Sequence, residues 1–168
     1  MLNPMKNLYF IFLMVVFVIT LKAEVKDDLI GKKAPPISLL RLDNIEFFKS
    51  KTLLGKKHIV LCFFATWSVP CALEIPKLQE IDAGINHEDI NFFLVNVKET
   101  INIVAPFVQD KIYIFPVILD LYGLAFEKFN GLELPLTVVI NRDGFVTYYH
   151  AGYQDGDELQ LLAHLKTL

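Results

Sequence analysis

The chain has 168 residues, 54% of them hydrophobic, and a formal net charge of −3 at pH 7. That length holds one domain with a real core plus a short extension. A mildly acidic balance with scattered basic residues excludes the basic footprint that nucleic acid selects, so no nucleic-acid partner is expected.

Much of the apolar excess sits at the N-terminus. The stretch LYFIFLMVVFVITL, from Leu8 to Leu21, carries no charge, follows Lys6 and leads to LKA ending at Ala23. This is the plan of a secretory signal peptide over residues 1–23. The run falls short of the roughly 20 apolar residues of a spanning helix. An uncleaved signal anchor, and with it an N-terminal membrane anchor, remains the alternative. There are two cysteines, Cys62 and Cys71, and an exported chain with two cysteines invites a disulfide reading. The histidines His58, His87, His150 and His164 show no metal-ligand spacing with one another or with the cysteines. No metal or cofactor is therefore expected, and the histidines read as surface or structural residues.

Residues 24–36, EVKDDLIGKKAPP, read as a linker into a domain over 37–168. ISLLRL and IEFF flank Asp43-Asn44, predicting a β-hairpin. LLGKKH is a turn. IVLCFFAT, residues 59–66, is the near-continuous apolar run of a strand buried on both faces. WSVPCALEIPKLQEIDAG follows, with Cys71, Ile75, Leu78 and Ile81 at helical spacing, Pro76 expected to kink or break the helix, and Gly84 able to close it.

INFFLVNV (90–97) predicts a second buried strand, and ETINIVAPFVQDK a second helix with Pro106 as its weak point. IYIFPVILD is extended, LYGLAFEKFNG a short helix with a glycine stop, and PLTVVI a strand. NRDG is a tight turn into the returning strand FVTYYHAG. DGDELQLLAHLKTL predicts a closing amphipathic helix, with Asp157 as N-cap and Leu159, Leu162 and Leu165 on one face. The order hairpin, βαβ, extended segment, ββα implies an α/β fold with a mixed central sheet flanked by helices.

At this point the chain resembles the exported, thioredoxin-like thiol–disulfide reductases of the TlpA/ResA type. The resemblance runs from about Gly31 to the C-terminus. It is carried by GKKAPPISLLRLDN, FFATWSVPCALEIP, FFLVNVKET, FPVILD and LPLTVVINRDG in that order. It implies a thioredoxin-like fold with an N-terminal β-hairpin extension, and an exported location in the periplasm or cell envelope. Protein or peptide thiols and disulfides would be the partners.

The family's usual site is C-x-x-C at a helix start, where the first cysteine attacks as a thiolate and the second resolves the mixed disulfide. Cys71 matches the second cysteine, and Ser68 stands in the place of the first. Serine forms no disulfide, so the ordinary two-cysteine cycle is excluded for this chain alone. Ser68 reads as an N-cap worth about 1 kcal/mol, as a donor that helps the Cys71 sulfur ionise, or as a replacement made to disarm an enzyme. Cys71 reads as a lone working thiol or as a small buried residue.

Glu74 lies on the same helix face as Cys71. It matches a glutamate common in these reductases, which would raise a neighbouring thiol's pKa or relay a proton. Its other reading is a solvated charge favoured by the helix dipole. Pro135 matches the family's cis-proline, so the Leu134 backbone would form part of a peptide groove shielded by Trp67. Cys62, six residues before Ser68, falls where thioredoxins keep a buried acid beneath the resolving cysteine. It is expected beside Cys71 as a separate thiol, unbridged.

Three functions compete. The first is a degenerate S-x-x-C oxidoreductase acting at most through Cys71, with an external thiol donor. The second is a non-catalytic peptide- or protein-binding module. The third is a one-cysteine peroxidase, for which the hydroxyl of Ser68 three residues before Cys71 argues. That enzyme also needs an arginine at the thiolate, and the chain has only Arg41 and Arg142, at or beside turns.

Overall fold

The structure, a computed structural model, describes residues 28–43, 46–85 and 89–168. The expected signal segment, the first residues of the linker, Asn44 of the hairpin turn and His87 lie outside the described residues. The elements in chain order are β1 (Ser38–Arg41), β2 (Phe47–Lys49), a 3-10 turn (Ser50–Thr52), β3 (His58–Phe64) and α1 (Val69–Gly84). Then come β4 (Ile90–Val97), α2 (Ile101–Asp110), β5 (Val117–Asp120), α3 (Leu124–Lys128), β6 (Leu136–Ile140), β7 (Val146–Ala151) and α4 (Asp157–Leu165).

One seven-stranded mixed sheet has the order β2-β1-β5-β4-β3-β6-β7. β3, β4 and β5 run parallel, while β6 and β7 are antiparallel additions on one side. The predicted hairpin forms, with Leu39 opposite Phe48. It is not an appendage: β1 pairs antiparallel with β5 and extends the central sheet.

β3 is buried at every position because both its faces are covered. Val60, Cys62 and Phe64 point to the face packed by Ile75 and Leu78 of α1, Val104 of α2 and Leu161 and Leu165 of α4. Ile59, Leu61 and Phe63 point to the other face, with Ile37, Phe48, Ala125 of α3 and Phe129. Fully burying an aliphatic side chain of this size stabilises by about 1.5–3 kcal/mol. The Cys71–Ile75–Leu78 stripe thus ties α1 to β3.

Three expectations change on inspection. α1 continues through Pro76 without a break; the proline is exposed, so the hydrogen bond it forgoes to Ala72 lies at the wet side of the helix. Only Val117–Asp120 of the run IYIFPVILD forms a strand. Asp157 is not the N-cap of α4: Gly156 is, with φ 102°, and Asp157 is the first helical residue. The Asp157 carboxylate instead accepts from the Gln154 N–H at 2.7 Å and lies 3.0 Å from His150 Nε2. Leu159 is 63% exposed, and the buried face of α4 carries Leu161 and Leu165. Leu162 is half-buried against the same core, so of the three expected leucines only Leu159 leaves the packed face.

Candidate functional site

The turn Ala65–Ser68 carries the chain from the end of β3 into α1. Ser68 is extended (φ −83°, ψ 108°) and its Oγ accepts from the Cys71 N–H at 3.4 Å, satisfying one of the unpaired donors of a helix start. Pro70 lies in the first turn, where its missing N–H costs nothing. The sequence folds this way locally because serine and proline both prefer these positions.

The turn is also held from β4. Glu99 is buried, and its Oε2 accepts from the Thr66 N–H and from Asn96 Nδ2, each at 2.7 Å. Glu99 Oε1 accepts from the Thr66 hydroxyl at 2.5 Å. Sequence reading missed this clamp. Its signal was Asn96, the one strongly polar side chain inside the buried run FFLVNV.

Cys71, in the first turn of α1, is 1% exposed, and Ser68 is 5% exposed. Burial pushes the Cys71 thiol up to about 11, against the pull of the Ser68 hydroxyl and the Ala65 backbone; the Glu74 charge adds to the rise. Cys62 and Cys71 belong to one packed cluster and both are free thiols.

Glu74 is 4% exposed, which replaces the expectation of a solvated charge. Its Oε1 accepts from the Thr137 hydroxyl at 2.9 Å and its Oε2 from the Cys62 thiol at 3.3 Å. Burial raises its pKa from 4.5 to about 7, less than burial alone would, because the two donors favour the charged form. Cys62, directly beneath, is pushed well up by its own burial and by the Glu74 charge. Thr137 was also missed. It is the polar residue of β6 and sits opposite Cys62 across the β3–β6 ladder, with His150 opposite it on β7.

The Leu134–Pro135 peptide bond is cis. Pro135 is buried and Leu134 half-buried, at the start of β6, where Leu136 pairs with Phe63 near the end of β3. The sheet therefore brings the Leu134–Pro135 segment beside the turn that carries Ser68. Trp67 is 73% exposed, and Val69, Leu73 and Leu132 are also exposed apolar residues on the turn, α1 and the loop before Pro135.

Neither arginine joins this cluster. Arg142 pairs with Asp89 at 2.6 Å. The Asp89 carbonyl receives the His58 N–H, at the start of β3. A seven-residue strand spans about 20 Å, so Arg142 lies at the opposite end from Ser68. Arg41 pairs with Asp43, on β1, three strands from β3 or about 14 Å. Among the described residues no group of three or more His, Cys, Asp or Glu is arranged to hold a metal ion.

A mixed sheet flanked by helices, a serine-capped helix carrying Cys71 over the end of β3, and a cis-proline strand beside it together define a thioredoxin-like protein. The comparisons agree. The Redoxin family model matches residues 29–165, and the chain belongs to that family. It is 28% identical over 131 residues to the thiol-disulfide oxidoreductase ResA of Bacillus thuringiensis subsp. konkukian, covering 78% of this chain and 75% of the relative. It resembles a solved thiol:disulfide interchange protein of the thioredoxin family from Chlorobium tepidum (TM-score 0.64, 26% identity, 79% of this chain and 94% of that one). A secreted disulfide oxidoreductase of Mycobacterium tuberculosis shares the fold (TM-score 0.66, 21% identity, 79% and 96%).

Proposed function

We propose that the protein is an exported member of the thiol–disulfide oxidoreductase group whose two-cysteine cycle is lost, and whose remaining covalent chemistry passes through Cys71 alone. The signal-like residues 1–23, with 24–36 as linker and 37–168 as the working domain, assign it to the periplasm or cell envelope. The observation that carries the reading is Ser68 at the N-cap of α1, one turn before Cys71. A cysteine there would be the attacking thiol; serine keeps the cap and removes the redox partner.

The residual step is a thiol–disulfide exchange. The Cys71 thiolate attacks one sulfur of a peptide disulfide, the S–S bond breaks, and the second sulfur leaves as a thiolate that takes up a proton. Ser68 cannot resolve the resulting mixed disulfide, so an external thiol must attack it and release Cys71. A thiol with a pKa of about 11 is almost wholly protonated at neutral pH, which makes this step slow in the free protein. Glu74, titrating near neutrality one turn further along α1, is the group that sets the charge beside Cys71 and relays its proton.

A second reading is favoured by the burial of Cys71: the surface of Trp67, Leu134 and Pro135, with Val69, Leu73 and Leu132 around it, holds extended peptide segments without turnover. The distance of both arginines from Cys71 counts against peroxide chemistry. The test is Ser68→Cys. The variant should gain an internal disulfide between the introduced thiol and Cys71 and accelerate insulin reduction by dithiothreitol, while wild type leaves the rate unchanged. Failure of the variant to accelerate it would mean the site is not a disarmed reductase.

A further inference from the structure

Cys62 is a nucleophile type that the exchange step does not use. It is fully buried on β3, directly across the ladder from Thr137. Its Sγ–H points to Glu74 Oε2 at 3.3 Å, and Thr137 Oγ1–H points to Glu74 Oε1 at 2.9 Å. The two oxygens of a buried carboxylate thus receive one donor each, from two neighbouring strands. A buried charge without such donors neutralises instead. The three side chains thus form a polar group joined through the Glu74 carboxylate, with Cys62 itself packed in an apolar cluster.

We infer that Cys62 is a positioning residue: its thiol proton, shared with Glu74, holds that side chain as an ionisable carboxylate against the first turns of α1, three residues from Cys71. The inference deepens the proposed role of Glu74 and rests on it. Cys62 then serves as an S–H donor and not as a redox partner. Its own deprotonation would set a thiolate against the Glu74 charge, and the raised pKa of Cys62 agrees with a thiol that never ionises in the working range.

The charged and titratable groups facing Glu74 come from every side of the pocket. Cys62 on β3 and Cys71 on α1 are neutral at neutral pH. Tyr148 on β7 and Tyr153 between β7 and α4 are neutral phenols whose pKa values are raised by burial and by the Glu74 charge, that of Tyr148 to about 12. His150 on β7 favours the Glu74 charge and Asp157 on α4 opposes it. These two stand 3.0 Å apart, and their opposed influences leave the two direct donors as the main support of the carboxylate.

The experiment is a carbon-13 carboxyl NMR titration of Glu74 in the wild-type chain and in Cys62→Ser, Cys62→Ala and Thr137→Val. Loss of a donor to a charged acceptor should raise the Glu74 pKa by about one unit in Cys62→Ala and Thr137→Val. Cys62→Ser, which restores a donor, should return it to the wild-type value. An unchanged pKa in Cys62→Ala, or a Cys62→Ser variant that behaves like Cys62→Ala, would overturn the inference, because packing alone would then account for Cys62.

Should the alanine variant not fold, the S–H infrared band of Cys62, isolated in a Cys71→Ala background, gives the same answer without changing Cys62. The band should move to lower frequency as Glu74 ionises, and a pH-independent band would count against the bond. Both readouts are blind to turnover. An inert Cys71 would therefore sink the exchange reaction and leave the hydrogen bond separately tested.

Discussion

Replacing Glu74 by glutamine should change how the stability of this protein depends on pH. The folded carboxyl titrates near 7 and the unfolded one near 4.5, with burial as the largest cause. Between those values the folded chain binds the extra proton, so stability falls as pH rises through the window. The contribution is fully present below about pH 4.5 and gone above about pH 7. At about 1.36 kcal/mol per pH unit, the gap between the two values comes to about 3 kcal/mol.

The glutamine side chain of the variant is neutral throughout, keeps an acceptor for Thr137 and is close in volume. The difference in unfolding free energy between wild type and Glu74→Gln should therefore change by about 3 kcal/mol between the two ends of that window, in favour of the variant at high pH. Urea unfolding of both proteins in half-unit steps from about pH 4 to about pH 8.5 measures it. A difference that stays constant across the series would refute the reasoning, since it would mean that Glu74 keeps an ordinary carboxylate pKa in the folded chain.

Two other substitutions test the frame of the site. Glu99→Ala strips the acceptor from the Thr66 N–H, the Thr66 hydroxyl and Asn96 Nδ2, and should cost on the order of 2–4 kcal/mol in urea unfolding; a loss below about 0.5 kcal/mol would show that water replaces the carboxylate. Ser68→Ala removes the cap of α1 and should cost about 1 kcal/mol. It should also slow Cys71 alkylation, since the Ser68 hydroxyl pulls that thiol's pKa down; an unchanged alkylation rate would contradict the electrostatic role.

The strands of the sheet were legible because their signal is local. IVLCFFAT and, Asn91 and Asn96 apart, INFFLVNV are apolar without alternation, as strands covered on both faces are, and both form within a residue or two of the expected limits. The Ser68–Cys71 turn was legible because capping chemistry is written in consecutive residues. The environment of Glu74 was not. Whether a carboxylate one turn into a helix faces water or core depends on which strand lies beneath it, and that is decided by the pairing of Cys62 with Thr137, far apart in the chain. The Glu99 clamp was hidden for the same reason: Thr66 and Glu99 meet only once β3 and β4 align. In α4 the leucines at 159, 161, 162 and 165 permit two faces, and the sheet selects the one carrying Leu161.

The most direct test of the account is the alkylation rate of Cys71 in the folded protein as a function of pH, with adducts located by mass. The account predicts slow modification at neutral pH, a rate that climbs toward a thiolate pKa of about 11, and no adduct on Cys62. Fast modification at neutral pH, with a thiolate pKa below the ordinary value of about 8.5, would contradict it and mark Cys71 as a fully activated nucleophile.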